Sequence, residues 1–181
     1  KASNQASVIY QYAVKNNEGI VEHKEDEKQS NVVNVYFPLQ NTVAPKAGIS
    51  IKTDNGTSFA PQDTVYYTIT VENKSGGTNP PDLELPIISF DLPQGTSLVN
   101  DYKNIGRNFL VLYGEENDAV IIEPEDLEVV ISDNVPAKEI NKDGELIDTA
   151  QSTKKVTVKL KNLDVSTSKK LFLKFAVQVS A

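Results

Sequence analysis

"VYYTITVENKSGG", residues 65–77, is the stretch on which the reading of this chain turns. Val65, Tyr67, Ile69 and Val71 alternate with Tyr66, Thr68, Thr70 and Glu72. A period of two, carried by β-branched and aromatic side chains, is the pattern of a half-buried strand. The strand then meets Gly76–Gly77, and a glycine-rich loop after a strand raises the question of a phosphate cradle. Such a cradle needs Gly-x-x-x-x-Gly-Lys-Ser/Thr running into a helix. Here Lys74 precedes the glycines, and Pro80 and Pro81 follow them. That order excludes a P-loop and leaves an exposed turn that ends the strand.

Working outward, strand signals dominate. Residues 6–14 (ASVIYQYAV) and 31–37 (NVVNVYF) both alternate, and a polar connector with a turn at Asn16–Gly19 separates them. They predict an N-terminal pair of strands joined by a long charged loop. Residues 39–48 have the composition of a linker. Further strands are predicted at 49–53, 65–72, 85–93, 108–114, 119–124, 127–132, 154–163 and 169–180, while 136–150 reads as a polar loop. No segment sustains a 3.6-residue apolar period. About ten strands at this spacing predict an all-β antiparallel sandwich.

The bulk properties bound the partners. One domain fits 181 residues. A net charge of −7 disfavours nucleic acid and anionic lipid, and no basic face with interleaved aromatics is present. No apolar run is long enough for a membrane-spanning helix, and no signal peptide is visible, so no membrane insertion is expected of this segment. A start at Lys1, with no methionine anywhere, is what a piece excised from a longer precursor would show. The absence of cysteine removes disulfides, thiolate metal sites and a cysteine nucleophile. Acids cluster over residues 115–128 and lysines over 154–174, which predicts solvated strand faces of opposite sign.

Residues 65–77 followed by "ISFDLPQGTSLV" (88–99) resemble the tandem conserved-repeat domain of bacterial surface and cell-wall proteins. "NQASVIYQY" (4–12), "SNVVNVYF" (30–37) and "LFLKFAVQV" (171–179) look like closing strands of the same family. The resemblance covers about half the chain; it does not extend over 100–152, and the turn after Gly77 is longer than the family's. It implies an immunoglobulin-like β-sandwich, exported to the cell surface of a bacterium, Gram-positive by type. It also implies a non-enzymatic role as stalk, spacer or adhesion module, with neighbouring repeats of the same protein as partners. The family's closing strands come first here, so 45–181 is expected to form the sandwich and residues 1–44 to dock on it within the chain, or to dock on or belong to an adjacent repeat. The second reading is an adhesin domain recognising a host protein or glycan. An accessory domain of a carbohydrate-active enzyme comes third.

Candidate chemistry is sparse, and no cofactor is expected. His23, the single histidine, lies in the charged connector, where a triad or zinc site finds no partners. Glu84 and Asp91 adjoin apolar runs, but solvent-facing strand positions explain both. "DNG" (54–56) and "NKDGE" (141–145) are turn sequences rather than complete calcium loops. The surface-protein resemblance suggests a lysine–asparagine cross-link assisted by an acid, for which Lys52, Asn34 and either Glu84 or Asp91 are the candidates. If a ligand is bound, the region without family counterpart supplies Tyr102, Arg107 and Tyr113.

Overall fold

A computed structural model describes residues 6–29, 38–39 and 42–181. Along the chain run β1 (Ala6–Lys15), β2 (Val21–Gln29), the short pair β3 (Pro38–Leu39) and β4 (Thr42–Val43), and β5 (Ala47–Thr53). Then come β6 (Thr64–Asn73), β7 (Glu84–Asp91), β8 (Thr96–Leu98), β9 (Phe109–Gly114) and β10 (Val120–Ile121). The last three are β11 (Leu127–Ile140), β12 (Leu146–Leu160) and β13 (Lys170–Val179). Two 3-10 turns, Tyr102–Asn104 and Pro124–Asp126, are the nearest approach to helix among the described residues.

The strands form two antiparallel sheets packed into a sandwich. The first has the order β11-β12-β7-β1-β2, and the second β10-β9-β13-β6-β5, with β8 pairing the end of β13. The alternation read in residues 65–72 holds in space. Val65, Ile69 and Val71 are buried, and Tyr67 stacks on Phe175 of β13 with ring centroids 5.1 Å apart. Across the gap, Phe90 of β7 stacks on Phe175 at 4.4 Å and meets Phe109 of β9 edge-on at 6.3 Å. These rings join the two sheets.

The N-terminal strand is part of the sandwich rather than an appendage. β1 lies between β7 and β2, with Ala6 opposite Phe90 and Val8 opposite Ile88. Ala6, Val8, Tyr10, Tyr12 and Val14 all face the core. The strand that pairs β1 differs from the expected one. Residues 31–37 lie outside the described residues. The connector itself supplies β2, closed by a turn in which Asn16 Oδ1 accepts the N–H groups of Glu18 and Ile20. β2 lacks apolar alternation because it is a sheet edge. It contributes backbone hydrogen bonds, and its charged side chains keep the edge from pairing further. The segment 136–150 is strand where a polar loop was expected. It is the far part of a long hairpin of β11 and β12, which turns at Asn141–Glu145 and runs past the end of β7, where Asp91 pairs Lys155. Its described side chains are exposed or half-exposed, so it carries no apolar period to reveal it.

Asn73 closes the loop after β6. Its side-chain amide donates to the carbonyls of Pro81 (2.7 Å) and Val165 (2.9 Å), and its oxygen accepts the Ser75 N–H. Gly77 takes a φ of +103° in this loop, as the turn reading requires.

Phe90→Ala should cost about 3–5 kcal/mol in denaturant unfolding, the usual loss for a buried phenylalanine. Phe172→Ala, on the outer face of β13, should cost about 1 kcal/mol or less. A second expectation concerns alkaline pH. Burial first, and then the charge and hydrogen bond of Asp26, hold the Tyr10 phenol well above its ordinary range. Burial also raises Tyr12, Tyr67 and Tyr102. The folded state therefore keeps protons that the unfolded chain releases above about pH 10. The stability linked to these groups is fully present below that pH and is lost as pH rises through the folded-state values. Melting temperature should fall on that rise, and the fall should be shallower in Tyr10→Phe. That variant should also lose about 1 kcal/mol at neutral pH, because it removes the one hydroxyl hydrogen that Tyr10 shares between Asp26 and the Pro45 carbonyl.

Candidate binding groove on the outer face of the second sheet

A strand that buries one face must present the other. On the second sheet the outward set is Ser50 and Lys52 of β5, Thr68, Thr70 and Glu72 of β6, Lys170, Phe172 and Lys174 of β13, and Leu112 of β9. Together they floor a groove of about 440 Å³. That is within the size range of small-ligand sites.

The loop between β9 and β10 forms one wall, through Glu116, Asn117 and Ala119. Gly114 fixes its approach. Its φ is +150°, and a Cβ there would stand 2.9 Å from the Ala119 Cα and from the Asp118 carbonyl oxygen. Any side chain at 114 would push this wall away. Next to the groove, the 3-10 turn packs on the same face of the sheet. Tyr102 is buried against Tyr66, edge-on with centroids 5.8 Å apart. The Lys103 ammonium lies 5.1 Å from the Tyr66 ring centroid and 5.6 Å from that of Tyr102.

The floor is polar and charge-balanced. Thr68 donates to Asp54 Oδ2 at 2.6 Å and receives the Lys174 ammonium at 2.9 Å. Asp54 also stands 3.8 Å from Lys174 and 3.9 Å from Lys52. Lys170 pairs with Glu72 at 3.2 Å. Phe172 and Leu112 supply the apolar part. Pairs this open to water contribute little to stability. The Lys52 side chain is 70% exposed. Its ammonium can therefore turn to an incoming anion at small cost, while Lys174 stays held by Thr68.

The residues expected to bind a ligand do not converge. Tyr102 is covered, so it supports the face rather than reading a ligand from it. Arg107 accepts the Tyr102 N–H on its carbonyl and sends its guanidinium to Glu123 at 3.7 Å. Tyr113 lies at the other end of β9, where its hydroxyl meets Ser166. The cross-link candidates are separated too. Lys52 sits on the outer face of the second sheet, whereas Glu84 and Asp91 lie at opposite ends of β7 in the first. Asn34 lies outside the described residues. His23 is exposed on β2, opposite Ala13. The acidic and basic segments meet at Glu128 and Lys159, 4.0 Å apart across β11 and β12.

Sequence reasoning missed the groove because its floor is drawn from residues 50 to 174. One half was nevertheless visible, since Thr68, Thr70 and Glu72 are the polar side of the stretch 65–72. No protein-family model matches the chain, and no curated protein matches it.

Proposed function

We propose that this chain is a non-enzymatic module of a bacterial surface protein that presents a binding face, and that the groove on the second sheet receives a saccharide bearing a carboxylate. The assignment to a surface protein rests on the sequence resemblance. The choice of presentation over spacing rests on the groove, a concave polar face of about 440 Å³ on the outer side of the second sheet.

The ligand class follows from the groove's chemistry. Hydroxyls of Ser50 and Thr70 and the ring of Phe172 suit a polyhydroxylated ring, while Lys52 and Lys170 suit its carboxylate. The floor carboxylates Asp54 and Glu72 are already paired with lysines, which favours binding over acid–base chemistry.

The test is a titration of isotope-labelled protein with a trisaccharide ending in a sugar acid, beside its neutral counterpart. The acidic sugar should shift the amides of Thr68, Thr70, Phe172 and Lys174 with a Kd of about 0.1–1 mM, and the neutral one should bind at least about tenfold more weakly. Lys170→Ala with Phe172→Ala should abolish the shifts without loss of the fold. Equal binding of the two sugars, or shifts scattered away from the groove, would contradict the reading.

A further inference from the structure

The first sheet ends in two unlike edges. β2 carries Glu22, His23, Lys24, Glu25, Asp26, Glu27 and Lys28 in succession, a charged edge of the kind that discourages pairing. β11 begins with Leu127, Glu128, Val129, Val130, Ile131 and Ser132, in unbroken register with β12. Its ladder first shifts between Ser132 and Val135, and Pro136 follows. The flat, unprotected part of this edge is therefore 127–132.

The side chains there are unusually bare. Leu127, Val129 and Ile131 belong to the row that continues onto the buried Leu160, Val158 and Val156 of β12. Yet Val129 is 40% exposed and Ile131 39%. By sheet order, the strand opposite β11 is the two-residue β10, too short to cover them. Val130, on the other face, is 48% exposed. An apolar row thus runs out of the core to an edge that, among the described residues, has no strand on its far side.

We infer that this edge pairs with the same edge of a second copy, antiparallel about a two-fold axis at Val130. The sequence is self-complementary in that register. Val130 faces its own copy, Val129 faces the copy's Ile131, and Glu128 faces the copy's Ser132. No like charges stand opposite one another, a condition that cross-strand pairs require. Ser132 lies beside Lys155 on β12, so each Glu128 approaches the copy's Lys155 along the outer face. The inner faces join Val129 and Ile131 of both copies into one apolar strip. A register shifted by one residue would set apolar side chains against the wrong face. The result is a continuous ten-stranded sheet. Only five residues per copy pair, Glu128 to Ser132, well short of the roughly twenty to thirty per side of a stable complex. The contact is therefore weak and reversible in solution, and it gains strength where many copies are held on one surface.

The cysteine-free chain allows a register-specific test. Opposite residues in an antiparallel pair lie about 4.5–5.5 Å apart between Cα atoms, a span that a disulfide bridges. Val130→Cys should therefore oxidise to a disulfide-linked dimer. Ser132→Cys, whose two copies would be about 13 Å apart, should cross-link at least about tenfold more slowly. Sedimentation of the unmodified chain should show monomer and dimer only, and Ile131→Lys should remove the dimer. Equal cross-linking of the two cysteine variants, cross-linking of neither, species larger than a dimer, or a dimer that survives Ile131→Lys would each overturn the assignment.

Discussion

The structure depends on the row Val8–Ile88–Val158, three apolar side chains abreast on β1, β7 and β12, each fully buried. Beside it runs Ala6–Phe90–Val156, and Phe90 reaches across to Phe175. β7 can bury its inner face only because a strand lies on each side of it. One comes from residues 6–15 and the other from residues 146–160. The sheet is thus assembled from distant parts of the chain, which is costly in loop closure. The burial of these rows, at about 25 cal/mol per Å² of apolar surface, offsets that cost.

The same constraint shapes the surfaces. With β7 and β13 fixed face to face, the outward residues of β5, β6, β13 and β9 form one continuous floor. The loops around it are free to differ, because the core does not need them. Gly114 lets the loop from Glu115 to Ala119 close over this floor, and Tyr102 with Tyr66 gives the neighbouring part of the face a rigid covering. Toward β11 the second sheet runs short, which leaves Val129 and Ile131 uncovered. Groove and bare edge are thus two consequences of one packing arrangement.

The sandwich was legible in the sequence wherever a strand buries one face. Residues 65–72 and 171–179 read as strands because alternation is the imprint of a core on one side, and their neighbours in the sheet confirm the register. β2 and the outer part of the β11–β12 hairpin were not legible for the same reason. Both are held by backbone hydrogen bonds, with no face that must be apolar, so their side chains record solubility rather than structure. The burial of Tyr102, a candidate for ligand contact, was not legible because it comes in part from Tyr66, thirty-six positions earlier. The groove was only half legible: β6 announced its polar face, but Phe172, Leu112 and the Glu116 loop join it through tertiary pairing alone.

The central claim is that β1 is an interior strand of the first sheet, paired on both sides. Amide hydrogen exchange measured residue by residue tests it most directly. If β1 is interior, the slow-exchanging amides of Val8, Ile9 and Tyr10 should match those of Ile87 and Ile88 on β7 and be lost only with global unfolding. Exchange of the β1 amides at rates typical of a frayed terminus, while β7 and β12 stay protected, would contradict the account.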